Sequence, residues 1–184
     1  MATNKHILVA LVEDKPGVLN RMASLFRRRS FNIESIAVGH SEMPHMSRMT
    51  FVVNGSATVV EQVRKQLDKV VETVKVSDIT GDNVLTRELA FIKVKANSAN
   101  RSEIIQIVDI FRANIVDVSP DSVIIEATGD EEKINSLFNL VRGFGIKEIS
   151  RTGCIAMTRG GSGPLPVMKK PPKTQAKGPK KVTK

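Results

Sequence analysis

His6-Ile7-Leu8-Val9-Ala10-Leu11-Val12-Glu13-Asp14-Lys15-Pro16-Gly17-Val18-Leu19 opens as an apolar run, breaks at a charged loop holding proline and glycine, and resumes at helical spacing. The run predicts a strand over roughly Lys5 to Val12. After the loop, Val18, Met22, Leu25 and Phe26 recur on one face of a helix from about Gly17 to Arg28. Leu19 and Ala23 widen that stripe, and Arg21, Ser24, Arg27 and Arg28 fall opposite. A strand that turns through glycine into a helix leaves free backbone N–H groups at the positive end of the helix dipole.

Working outward, Asn32 to Val38 reads as a second strand. Ser47, Met49, Phe51 and Val53 alternate with Arg48, Thr50 and Val52 in a third, ended by Asn54-Gly55. Val59, Val63, Leu67 and Val70 repeat at helical spacing, and a last strand covers about Val71 to Ile79. The same order then recurs. Leu89 to Ala96 is a strand, and Arg101 to Arg112 is a helix with Ile104, Ile105, Val108 and Phe111 inward. Ile115 to Val118 and Val123 to Ala127 are strands around a Pro120-Asp121 turn. Asp130 caps a helix burying Ile134, Leu137, Phe138 and Val141, and Ile146 to Ile155 closes the copy. Asn32-Ile33-Glu34 and Asn114-Ile115-Val116 occupy matching places. The chain is therefore an α+β protein of two tandem ferredoxin-like βαββαβ domains. We place the first over residues 4–80, a linker over 81–86, the second domain over 87–158 and a disordered Lys/Pro-rich tail over 159–184.

The first loop carries the candidate chemistry. Backbone N–H groups after Gly17 suit a carboxylate, and Asp14 suits an ammonium, so the pair fits a small amino acid better than a phosphate. A second reading is also open, in which Gly17 relieves a tight turn and Asp14 caps the helix. The matching turn of the second half, Ala96-Asn97-Ser98-Ala99, has no glycine, proline or acid, so a ligand belongs to the first copy alone. The first strand is apolar on both faces, Ile7, Val9 and Leu11 alternating with Leu8, Ala10 and Val12. Units this small bury only about 60% of their unfolded surface. We therefore expect a homodimer.

Composition excludes several classes. Of the formal +9, the tail from Arg159 supplies eight Lys or Arg and no acid, leaving the body at +1. No apolar run reaches the ~18 residues of a membrane span, and the first residues lack a secretory apolar segment, so the expected setting is cytoplasmic. The single Cys154 permits no internal disulfide and has no His or acid within four residues to activate it. His40 and His45, five apart in a loop, make a weak metal pair. There is no Gly-x-Gly-x-x-Gly and no phosphate loop, and Gly160-Gly161-Ser162-Gly163 reads as a hinge. We expect no catalytic residue and no bound metal or cofactor. The rival reading is a ferredoxin-like nucleic-acid-binding protein using the basic tail. It is weakened by the absence of Trp and Tyr and by Phe51 standing as the lone aromatic of its strand.

Val9 to Asn32, VALVEDKPGVLNRMASLFRRRSFN, continues into Ile33-Glu34-Ser35-Ile36 and later Ser47-Arg48-Met49-Thr50, with Arg151-Thr152-Gly153 near the end. This pattern, over residues 5 to about 158, resembles the regulatory small subunits of acetolactate synthase (acetohydroxyacid synthase). The resemblance implies an N-terminal ACT domain, a dimer, and valine bound at the ACT–ACT interface. It implies stimulation and feedback inhibition of a catalytic subunit that itself carries thiamine diphosphate, Mg and FAD. The family's ligand loop maps onto Asp14, Pro16, Gly17 and Val18, and its strand contact onto Asn32 and Ile33 of the neighbouring protomer. Many family members have asparagine where this chain has Asp14, which leaves valine, leucine and isoleucine as candidate effectors. No specific nucleic acid and no membrane is implied as a partner.

Overall fold

The computed structural model describes residues 5–28, 31–160, 163 and 165. In the first half, β1 (Lys5–Glu13), α1 (Val18–Arg28), β2 (Ile33–His40), β3 (Met46–Asn54), α2 (Ala57–Asp68) and β4 (Thr73–Asp78) form an antiparallel sheet of order β2-β3-β1-β4. The second half repeats the order with β5 (Val84–Lys95), α3 (Arg101–Ile110), β6 (Asn114–Ser119), β7 (Ser122–Gly129), α4 (Glu131–Val141) and β8 (Ile146–Arg151), arranged β6-β7-β5-β8. The tandem ferredoxin-like reading holds.

Each core follows from the period-2 alternation of the strands meeting helical stripes. Leu8, Ala10 and Val12 of β1 and Met49, Phe51 and Val53 of β3 point to one face and pack under Val18, Met22 and Phe26 of α1 and Val60, Val63 and Leu67 of α2. The rings of Phe26 and Phe51 stack at 5.2 Å, an arrangement worth roughly 0.5–1.5 kcal/mol beyond area. In the second core, Ile92, Val94 and Ile125 lie beneath Ile104, Val108, Ile134 and Leu137.

Three expectations need correction. Leu19 is 47% exposed and Ile105 40%, and Ala23 is also exposed. A helix in a two-layer unit contacts its sheet through a stripe narrower than six apolar residues suggest. The last strand is not continuous: it breaks at Thr152-Gly153-Cys154, and β9 (Ile155–Thr158) resumes beside Val84–Arg87, the start of β5. The stretch 81–86 is accordingly already strand from Val84. Finally, the apolar second face of β1, which suggested cover by a second copy, has cover within the chain; this corrects that argument and not the homodimer itself. Val9 is fully buried with Ile79 and Ala156 of β9, and Ile7, Val84 and Leu165 pack around them. Leu165 therefore belongs to a packed cluster, although most of 159–184 lies outside the described residues.

Candidate effector-binding site

The loop between β1 and α1 has the shape the sequence suggests. Gly17 adopts φ +85°, a region that favours glycine, and a Cβ there would meet nothing within 4 Å. The space above its Cα is open. Helix α1 begins as Arg21 N donates to Gly17 O at 3.0 Å. Among the described residues no acceptor meets the N–H of Gly17, Leu19 or Asn20, and Val18 N reaches Lys15 O only at 3.4 Å. These donors and the dipole end face the open space and can take a carboxylate.

The other helices differ. Ser56 Oγ accepts from Val59 N on α2, and Asp130 Oδ1 accepts from Lys133 N on α4. At the turn equivalent to the candidate loop, Asn97 Oδ1 accepts from Ala99 and Asn100, while Asn100 Oδ1 accepts from Asn97 N. In the second copy the side chains of Asn97 and Asn100 take up the N–H groups of the turn, although Asn100 places no side-chain cap on α3 itself.

Asp14 does not cap α1, which removes half of the purely structural reading. Its N–H donates to His45 O at 2.9 Å, and its carboxylate lies 3.3 Å from His40 Nδ1, at the far end of β2. His40 is therefore an Asp14 neighbour that spacing alone did not reveal. The loop's own cation is occupied elsewhere, since Lys15 bonds Glu13 at 2.7 Å. That contact with Glu13 raises the Lys15 ammonium above its ordinary value. Glu72 is paired with Arg21. Asp14 thus remains half-exposed and available to an incoming ammonium.

Asn32 and Ile33 are not beside this loop within one chain. Ile33 pairs with Val53, which pairs with His6, whereas the loop follows Val12 and Glu13. The six residues from His6 to Val12 put the two about 20 Å apart along the sheet. β2 is, however, an edge strand, with β3 as its only strand neighbour among the described residues. An antiparallel neighbour on that edge would bring its residue 32 towards the Asp14 end.

No group of three or more His, Cys, Asp or Glu could hold a metal among the described residues. Burial raises the Cys154 thiol above its usual range, against nucleophile chemistry. Phe51 is fully buried under the helices and cannot stack a base. No described helix is long and apolar enough to cross a membrane.

A repeated ferredoxin-like pair whose first strand-to-helix turn alone holds a glycine at positive φ fits the class the sequence resembles, regulatory chains built on an ACT domain and a companion domain. A family model described as the acetolactate synthase (AHAS) small subunit-like ACT domain matches residues 8–75, and one described as the small subunit of acetolactate synthase matches 87–160. A probable acetolactate synthase small subunit of Archaeoglobus fulgidus is 58% identical over 156 residues, covering 85% of this chain and 98% of that protein. The acetolactate synthase small subunit of Bacillus subtilis is 48% identical, covering 85% and 91%. The crystal structure of the small subunit from Thermotoga maritima superposes with a TM-score of 0.79 at 43% identity, covering 86% and 99%. The chain belongs to the family of acetolactate synthase small subunits, and its role is that of a regulatory, non-catalytic subunit.

Proposed function

We propose that this chain, as a cytoplasmic homodimer, associates with the catalytic subunit of acetolactate synthase, stimulates it and confers feedback inhibition by valine, with leucine and isoleucine as weaker candidates. The observation that carries the reading is the contrast between the two strand-to-helix turns: a glycine at positive φ under open space in the first copy, and a turn whose own N–H groups are taken by Asn97 and Asn100 in the second. The valine carboxylate meets the first-turn N–H groups of α1, and Asp14 receives the ammonium. The partner protomer's strand supplies Asn32 and Ile33, the latter against the isopropyl group. Thiamine diphosphate, Mg and FAD belong to the catalytic subunit, and this chain brings none of them.

Because two protomers build each site, valine favours one dimer arrangement over another and shifts that equilibrium by its difference in affinity. The test is acetolactate formation by the catalytic subunit with and without this chain across a valine titration. Stimulation that valine reverses is the expected result. An unchanged rate, with no heat of valine binding in calorimetry, overturns the reading.

A further inference from the structure

The Arg151-Thr152-Gly153 segment has no part in the site described above, yet it lies where the two domains meet. At this point the chain leaves the second sheet and crosses edge strand β2 of the first. Gly153 holds φ +83°, and a Cβ there would stand 2.8 Å from Ile36 O and 2.9 Å from Ser35 Oγ. No real Cβ contact is that short, so the backbones approach as closely as glycine allows. One residue on, Cys154 N donates to Ser35 Oγ at 2.7 Å. The segment is anchored in the second domain: the guanidinium of Arg151 grips the buried Glu88 carboxylate, and Thr152 N donates to Leu89 O at 3.0 Å.

On the β2 side, the register with β3 shifts between Ile33 and Ser35, leaving Glu34 as the extra residue of a bulge. Lys5 bridges that bulge to the second domain, at 3.2 Å from Glu34 and 2.7 Å from Glu131 at the start of α4. Beside these contacts the domains enclose an open cleft of about 510 Å³. At Ser35 and Ile36 the junction consists of a few directional hydrogen bonds bordering this cleft, and the apolar cluster of Val9, Ile79 and Ala156 begins two residues beyond Cys154. Such a junction can exchange one set of partners for another at low cost, which is what a two-state element requires.

We propose that the contact of Gly153 and Cys154 with Ser35 and Ile36 is the coupling element through which effector bound at Asn32 and Ile33 repositions the second domain. The proposal rests on the effector reading of β2 given above. Ile33 is the last residue before the bulge, and Ser35 the first after it. A ligand that draws Ile33 towards a partner's loop shifts an edge strand whose only strand neighbour among the described residues is β3. The next groups to feel that shift are Ser35 Oγ and Ile36 O. Gly153 and Ser35 are positioning residues on this account and do not touch the effector.

The test uses the assembled holoenzyme with Ser35→Ala and Gly153→Ala, reading valine affinity by calorimetry and inhibition of acetolactate formation side by side. Ser35→Ala adds no atom and removes only the acceptor for Cys154 N, so it folds even if the strained Gly153→Ala does not. Coupling of this kind commonly amounts to about 5- to 150-fold. We expect Ser35→Ala to bind valine within about twofold of wild type while its coupling falls several-fold, and Gly153→Ala to lose more. Variants inhibited as fully as wild type overturn the proposal. Loss of valine binding together with inhibition also overturns it, since the contacts would then merely support the site. A wild-type holoenzyme that neither binds nor responds to valine overturns the effector reading, and the coupling with it.

Discussion

Asp14 and Asn32, two side chains assigned to one effector, stand at opposite ends of the same sheet. Asp14 follows the Glu13↔Met46 pair, and Asn32 precedes the Ile33↔Val53 pair. No rotamer spans that distance within a chain. If both contact one ligand, two protomers must supply them, with β2 edges running antiparallel. Mixed dimers test this directly. A Gly17→Asp protomer paired with an Asn32→Ala protomer carries one doubly damaged site and one intact site. The heterodimer, isolated by a different tag on each protomer, should regain about half the wild-type valine stoichiometry in calorimetry, although each homodimer binds weakly or not at all. No recovery in the mixed dimer would place each site within one protomer.

Gly17→Asp alone should abolish inhibition and spare stimulation. The added carboxylate enters the open space over the α1 N-terminus, where it occupies the donors and repels the effector. An L-residue at φ +85° also costs roughly 1–2 kcal/mol, so unfolding should be measured in parallel. A variant that stays fully valine-sensitive places the carboxylate elsewhere.

Asp14→Ala and His40→Ala should act in opposite directions. Losing a charge-assisted bond to the ammonium costs about 1.5–3 kcal/mol, roughly 10- to 150-fold in affinity. Removing His40, 3.3 Å from the same carboxylate, frees Asp14 from an exposed neighbour whose hold at such a surface is at most about 1 kcal/mol. Valine should then bind more tightly, by up to about 5-fold. Calorimetry showing both variants weakened equally would make His40 a ligand contact instead of a competitor.

The order of elements was legible because periodicity reports which face of a strand or helix meets a core, and both repeats keep that pattern. Three features were not legible. Leu19 and Ile105 satisfy helical spacing, but only the observed helix–sheet contact shows that they lie outside it. Ile146 to Ile155 reads as one strand, since the break at Gly153 is imposed by the approach of Ile36 from another domain. The cover over Val9 comes from Ala156 and Leu165, far along the chain, where local pattern suggested a second copy. The shape of the candidate loop was readable, because Gly17 and the uncapped start of α1 are local facts.

A pH-dependent contribution should come from α2. Hydrogen bonding to Arg64, helped by Lys65, lowers the Glu61 carboxyl from 4.5 to about 2. Arg64 also holds Asp68 at 2.9 Å, whose other oxygen accepts from Val76 N at 2.8 Å, tying α2 to β4. A depressed carboxyl adds stability above its unfolded value and loses it as pH falls through the folded one. The urea midpoint of wild type should therefore exceed that of Glu61→Gln above pH 4.5, with the gap closing towards pH 2 and shrinking in salt. A gap independent of pH would assign the effect to packing.

The basic tail separates regulation from nucleic-acid binding, provided the cut respects the packed cluster. Leu165 touches the group around Val9, Ile79 and Ala156, so truncation at Arg159 would uncover apolar surface as well as remove charge. Ending the chain after Pro166 keeps Leu165 and removes seven of the eight tail cations. That protein should stimulate the catalytic subunit and respond to valine as the full chain does. Its non-specific retention on anionic resin or duplex DNA should fall, because that retention depends on phosphate contacts and therefore on salt. Leu165→Ala in the full chain should lower stability by about 1 kcal/mol, the cost of removing a partly buried side chain, without changing resin retention. Loss of stimulation on truncation, with Leu165 still in place, would give the tail a role in contacting the catalytic subunit.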